Sequence, residues 1–299
     1  MTRRINIRHA AGPREPGFVM KHLLGEYSLA RSYWLHTVLL GWGFGATAAF
    51  ALRRFGEEAP MRHVAIGLMV IQALAALIWL WSVAGTWMAA LRRVVMGGGR
   101  LWGVLALLTL GAAMLATIRE VADLRPDVED MWAVAQGEQP TPTFELSLRP
   151  DGKVLVYTGG INEGAAAALE RQIAAAPQLT TLEIDSPGGW LREGRRIAEV
   201  VRRHQLDTHV AHECFSSCTL VLLAGRQRSA ERGAEVGFHR GRGIGQTRRP
   251  RTSPSTEEAR LYLDAGLSQA FVDQILATPN DSIWVPTRRE LLAAGVLTR

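Results

Sequence analysis

The sequence predicts an amino-terminal anchor of about three membrane-spanning helices, followed by one α/β domain with a mostly parallel sheet. Three stretches before Ile118 are apolar and almost free of charge. After Glu120, short strand-like segments alternate with amphipathic helical segments, as in water-soluble α/β proteins. The chain has 299 residues, which leaves about 150–160 residues for the second part, the size of one ordinary domain.

The three apolar stretches set the predicted domain boundaries. They cover residues 33–52, 64–91 and 101–118, and each reaches about the length needed to cross the hydrocarbon core of a bilayer. Residues 119–143 are predicted to form a juxtamembrane helix and a linker with prolines. Residues 144–299 form the predicted soluble domain.

The basic residues around the helices predict the orientation. The tail of residues 1–32 carries six of them, whereas only two lie just beyond the third helix, Arg119 and Arg125. The positive-inside rule then places the amino terminus in the cytoplasm. Three crossings of the cytoplasmic (inner) membrane would leave the carboxy-terminal domain outside, in the periplasm.

Charge and cysteine content exclude two classes of function. The net charge is +6, but the residues from Thr141 onwards include 20 Lys+Arg and 18 Asp+Glu. Much of the excess positive charge therefore lies around the membrane helices, and the bilayer is the expected partner. We find no nucleic-acid motif and predict no nucleic-acid partner. The two cysteines lack further ligands at metal-site spacing, so neither a metal nor another cofactor is predicted.

The order of elements after the linker is βα repeated, which predicts strands in parallel with helices packed on them. The predicted strands are 154–157, 182–184, 208–211 and 236–238. The predicted helices are 163–175, 191–204, 217–223, 257–265, 268–277 and 288–294.

Three motifs of this domain suggest catalysis by a serine. Ser186-Pro-Gly-Gly189 follows one predicted strand, Cys214-Phe-Ser-Ser-Cys218 follows the next, and His239 ends a third strand, 23 residues after Ser216. A nucleophilic serine needs a base within hydrogen-bond reach and N–H groups that face the developing oxyanion. A Gly-Gly turn and a helix start both supply accessible N–H groups.

The order and spacing of these motifs resemble the ClpP-type serine peptidases of the ClpP/crotonase superfamily. The resemblance covers most of the soluble domain and none of the anchor. It implies that Ser216, nine residues before Gly225, is the nucleophile and His239 the general base, with the N–H groups of Gly189 and Ser217 as the oxyanion hole. It further implies a peptide or protein substrate, a homo-oligomer and no cofactor.

The resemblance leaves the third catalytic group open. The position of the family's orienting acid falls on or near Thr278, and Asp281 is the nearest carboxylate.

His212, close to the nucleophile in sequence, is a rival base. A Ser–Lys dyad is disfavoured because no lysine follows Lys153.

Three other interpretations stay open at this stage. Ser216 and Ser217 could simply cap a helix, as serine commonly does. The domain could then be catalytically inactive and bind peptides or assemble partners. The chain could also be a crotonase-type enzyme acting on a thioester, although nothing in the sequence suggests a coenzyme A site.

Cys214 and Cys218 are candidates for a disulfide. Four positions apart across a helix start, their Cα atoms could lie about 6 Å apart, within the range of a disulfide. The oxidising exterior predicted for the domain would favour the bond. The alternative is that both are small buried side chains packed as free thiols.

Overall fold

The computed structural model describes residues 16–56, 59–97, 99–123, 125–139, 141–241 and 256–299. Residues 1–15 of the predicted cytoplasmic tail therefore lie outside the described part of the chain. The chain forms two compact units. One contains the apolar helices, and the other, Pro126–Arg299 with Pro60–Ile66, contains a β-sheet.

The three predicted apolar helices are present, and they follow a short helix, α1 (Phe18–Leu23). They are α2 (Leu29–Phe55), α3 (Met61–Val95) and α4 (Arg100–Asp123), with mean hydropathies of 1.4, 2.2 and 2.1 over an apolar stretch of 18 residues in each. By length and composition each can cross a membrane. Many large apolar side chains on them are exposed, including those of Trp42, Phe50 and Trp102. Lipid would remove such a surface from water.

The second unit is an α/β domain. Helix α5 (Arg125–Gln136) leads into it. Its further helices are α6 (Ala165–Ala175), α7 (Leu191–Arg203), α8 (Cys218–Leu223), α9 (Thr256–Asp264), α10 (Gln269–Ala277) and α11 (Arg288–Ala293). Its strands are β1 (Glu145–Leu148), β2 (Val154–Thr158), β3 (Thr181–Ser186), β4 (Asp207–Phe215), β5 (Arg228–Ala230) and β6 (Glu235–Gly237).

The sheet is mostly parallel, as the alternation of elements predicted. Its order is β1-β2-β3-β4-β5, and β6 pairs with the end of β4. Among the strands that the structure describes, only β1 is antiparallel to its neighbour. Strand β4 is long enough for two partners, since Thr208–Val210 pairs with β5 and Glu213–Phe215 pairs with β6.

Two strands and part of a third were missed at the sequence level. Strand β1 is an exposed edge strand of four residues and β5 has three, so neither carries a buried alternation long enough to be recognised. Strand β4 continues to Phe215, four residues beyond its predicted end at Ala211, because β6 supplies a partner for the additional residues.

Burial explains how the helices cover the sheet. Alternate residues of β3 are buried, namely Leu182, Ile184 and Ser186. Helix α7 buries one face and exposes the other, whereas all six residues of α8 are buried. Strands β3 and β6 each pair with β4 in parallel, so the carboxyl ends of the three strands meet at one edge of the sheet. Turns at such an edge commonly carry the functional groups of parallel α/β domains.

Candidate active site

Ser216 follows β4 directly and has an unusual backbone conformation. Its φ is +56°, in the left-handed region that side chains with a Cβ rarely adopt. The Ser216 N–H donates to the carbonyl of Gly237 at 3.0 Å. The Ser216 carbonyl accepts from the Thr219 N–H at 3.0 Å and from the Thr219 hydroxyl at 2.7 Å. These bonds fix a sharp turn between strand and helix, with Ser216 at its apex.

Gly188 of the Ser186–Gly189 turn packs against the turn that holds Ser216. Its φ is +92°, and a Cβ at this position would lie 2.5 Å from the Phe215 carbonyl oxygen and 2.8 Å from the Ser216 Cβ. A side chain here would both strain the backbone and push against the neighbouring turn. This explains why the sequence has glycine at this position.

His239 lies two residues beyond the end of β6 and faces Ser216. Its Nε2 atom is 2.7 Å from the Ser216 Oγ. The preceding residue, Phe238, exchanges two backbone hydrogen bonds with Trp284, at 2.8 and 2.9 Å. The structure thus brings together the two residues that the sequence proposed as nucleophile and base.

The hydrogen bonds of His239 determine which ring nitrogen carries the proton. The Nδ1 atom is 2.9 Å from the carbonyl oxygen of Asn280, which can only accept, so Nδ1 must be the protonated nitrogen. The Nε2 lone pair is then free to accept the Ser216 O–H. Burial lowers the pKa of His239 below its usual value, and the bond to the Asn280 carbonyl opposes this shift in part. The lowered pKa favours the neutral ring, which is the form that can act as a base.

The carbonyl of Asn280 occupies the place that the sequence analysis considered for Asp281. It is Asn280, one residue earlier, that contacts Nδ1, and it does so through its backbone. The side-chain amide of Asn280 donates to the Arg240 carbonyl at 3.3 Å, and the Arg240 N–H donates to the Thr278 carbonyl at 3.1 Å. The orienting group of His239 is thus a neutral dipole and not a carboxylate.

Two N–H groups beside Ser216 have no hydrogen-bond partner within the described part of the chain. They belong to Gly189 and Ser217. Ile161 holds the glycine turn from the other side, because its N–H donates to the Gly188 carbonyl and its carbonyl accepts from the Trp190 N–H. A Cβ on Gly188 would lie 3.2 Å from the Ser217 nitrogen, so the two turns adjoin. That these two N–H groups form an oxyanion hole stays a prediction.

The structure separates the rival residues from the hydrogen-bonded pair. The Ser217 side chain is buried, and its Oγ has no partner among the described residues. His212 lies on β4 with an exposed side chain and lines a cleft of about 620 Å³ together with acidic side chains, among them Asp185, Glu213 and Glu231. The hydrogen-bond partner of the Ser216 Oγ is His239.

Cys214 and Cys218 form a disulfide that encloses the Ser216 turn. Their Cα atoms are 5.3 Å apart, close to the distance expected from the spacing. Cys214 lies in β4, and Cys218 is the first residue of α8. Both side chains are fully buried.

The described residues contain no group of three or more His, Cys, Asp or Glu side chains arranged to hold a metal ion. The group that the sequence did not reveal is the Asn280 carbonyl. Every residue has a backbone carbonyl, so its role leaves no mark on residue type. The Thr219 hydroxyl was also missed, since threonine after a nucleophile turn has no distinctive pattern.

Comparison with known proteins gives only distant similarity. No family model and no curated protein matches the chain. Among solved structures, the chain is similar to ClpP1 from Listeria monocytogenes and to a point mutant of that protein, each at 18% sequence identity. The TM-scores are 0.40 and 0.41, and each alignment covers 50% of this chain and 90% of the other. Similarity at this level does not establish a shared activity.

Proposed function

We propose that this chain is a membrane-anchored serine peptidase, with Ser216 as nucleophile and His239 as general base. The observation that carries the proposal is the 2.7 Å contact between the Ser216 Oγ and the His239 Nε2, with Nδ1 held by a carbonyl. A helix-capping serine needs no such base. The left-handed backbone of Ser216 also supports a functional role, because strain of this kind is retained where the surrounding structure enforces it.

The reaction would proceed through an acyl-enzyme. Nε2 of His239 takes the proton of the Ser216 hydroxyl as Oγ attacks the substrate carbonyl carbon. The carbonyl oxygen becomes an oxyanion and accepts from the N–H groups of Gly189 and Ser217. When the intermediate collapses, the C–N bond breaks and His239 returns its proton to the leaving amine. Water, activated by the same imidazole, then hydrolyses the ester on Ser216.

The Asn280 carbonyl affects the rate of hydrolysis that we expect. During attack His239 becomes an imidazolium, and a carbonyl dipole stabilises that charge less than a carboxylate would. We therefore expect a slower enzyme than one with a Ser-His-Asp triad. Several parts of the proposal rest on the sequence, namely the peptide substrate and homo-oligomer, which the motif resemblance implies, and the periplasmic side, which the basic flanks predict.

Reaction with a fluorophosphonate probe tests the proposal. The full chain in detergent should be labelled, Ser216→Ala should abolish labelling, and Ser217→Ala, the matched control one residue away, should keep most of it. Absence of labelling in the wild-type chain would contradict the proposed hydrolysis and favour a domain that binds peptides without cleaving them.

A further inference from the structure

The disulfide between Cys214 and Cys218 encloses the part of the chain that does the proposed chemistry. Only Phe215, Ser216 and Ser217 lie between the two cysteines. This short segment supplies the proposed nucleophile, the Ser216 Oγ, and one of the two N–H groups proposed to bind the oxyanion. We propose that the disulfide positions this segment, so that the hydrolytic site is complete only when Cys214 and Cys218 are oxidised; this inference rests on the function proposed above.

The cysteine at the strand end is fixed by the sheet. Cys214 pairs with Ser186 of β3 on one side and with Val236 of β6 on the other. Those two strands lead to Gly188 and to His239, the remaining parts of the site. Cys214 is thus held in register with both the glycine turn and the base.

The second cysteine is held by a buried helix. Cys218 opens α8, all of whose residues are buried, and the Thr208 hydroxyl donates to the Leu222 carbonyl of that helix at 2.8 Å. The disulfide therefore links two packed elements across the turn that joins them. Ser216, with its left-handed backbone, lies between these anchors.

Reduction of the disulfide must displace atoms near Cys214 and Cys218. Two sulfur atoms that are no longer bonded require roughly 3.5–4.0 Å between them, as other non-bonded heavy atoms do. Both side chains are fully buried, so neither sulfur can turn out into solvent. Because the sheet holds Cys214 on both sides, the shift falls on the start of α8 and on the turn before it. Ser216 and the Ser217 N–H then move relative to His239.

The redox step is an exchange of thiols with a disulfide. The thiols of Cys214 and Cys218 lose two protons and two electrons, and the S–S bond forms. An external disulfide, either of a thiol oxidoreductase or of a low-molecular-weight thiol, accepts both and becomes two thiols. Such oxidants prevail outside the cytoplasm, whereas cytosolic thiols are kept reduced. The device would keep the hydrolase inactive until its domain reaches an oxidising compartment.

The experiment compares oxidised and reduced full-length chain in detergent at a saturating concentration of fluorophosphonate. The thiols are counted by intact mass after alkylation, which shows whether the buried bond has been reduced. We expect labelling to be roughly 10- to 100-fold slower after reduction, since a displacement of about 1 Å costs up to about 10²-fold. Reoxidation with oxidised glutathione should restore the rate.

The variant Cys214→Ala/Cys218→Ala is the matched control. It lacks both sulfur atoms, so its labelling rate should show no response to reductant, with an unchanged fraction of molecules finally labelled. That separates positioning from folding, because loss of folded protein lowers the final fraction and leaves the rate constant per folded molecule intact. The labelling rate constant therefore reports on the position of Ser216 relative to His239, and the final labelled fraction reports on folding.

The outcomes distinguish this inference from the proposed function. Equal labelling rates for oxidised and reduced wild-type chain would overturn the inference and leave the hydrolase proposal standing. Two free thiols in chain isolated from an oxidising compartment would do the same. A wild-type chain that never labels, oxidised or reduced, would overturn both.

Discussion

The Nδ1 atom of His239 lies 2.9 Å from the backbone carbonyl oxygen of Asn280. This contact selects the tautomer in which Nε2 is unprotonated and directed at the Ser216 Oγ. It provides the orientation that a buried carboxylate gives in a Ser-His-Asp triad, but without a negative charge. The strength of the base and its dependence on pH follow from that difference.

The labelling rate should depend on pH through His239. Burial lowers its pKa below the ordinary value of 6.5, and no carboxylate of the described residues forms a hydrogen bond with the ring to raise it. The unprotonated ring is the active form, so the rate should rise with pH and reach half its maximum below pH 6.5. The measurement is the rate constant of fluorophosphonate labelling between pH 4.5 and 8. A midpoint above 7 would show that a negative charge acts on His239.

Substitution of Asp281 should have little effect on the reaction. Because the Asn280 carbonyl is the partner of Nδ1, Asp281→Asn should change the labelling rate by no more than about twofold. The comparison variant His239→Gln removes the base and should slow labelling by roughly 10²- to 10⁴-fold. If Asp281→Asn instead approached the effect of His239→Gln, the carboxylate would be the orienting group after all.

Gly188 should be required for the geometry of the nucleophile turn. Gly188→Ala places a Cβ 2.8 Å from that of Ser216, at a φ of +92°. We expect a loss of stability of about 1–3 kcal/mol and a marked fall in labelling rate. Gly233 is the matched control, because it has the same φ of +92° with no atom within 4 Å of the added Cβ.

Comparison of the two alanine variants isolates the contact from the backbone strain. Gly233→Ala should lose some stability and keep its labelling rate per folded molecule. Thermal unfolding midpoints give the stabilities. Equal labelling rates in the two variants would mean that Gly188 does not position Ser216.

The basic residues that flank the apolar helices predict the orientation of the chain. With epitope tags at the two termini of the full chain, protease added to spheroplasts should remove the carboxy-terminal tag and spare the amino-terminal tag. A carboxy-terminal tag that is cleaved only after lysis would place the soluble domain in the cytoplasm. It would also remove the oxidising environment that the disulfide mechanism requires.

The sequence was sufficient to predict the features that come from a repeating pattern of residues or from side-chain chemistry. Uncharged stretches predicted the three long helices, and periodicity predicted the parallel strands. The motif order placed Ser216 and His239 in one site, where the structure joins them. The orienting group was not predictable, because a backbone carbonyl such as that of Asn280 has no residue signature. Strands β1 and β5 were missed because short strands depend on their neighbours more than on their own residues.

The most direct test is the site of covalent modification in the wild-type chain. Oxidised full-length protein is reacted with a fluorophosphonate at pH 8, digested, and the modified peptide is sequenced by tandem mass spectrometry. We expect a single phosphonyl group on the Oγ of Ser216, absent after prior denaturation. Modification of Ser217 in its place, or no modification of the folded chain, would contradict the assignment of Ser216 as nucleophile.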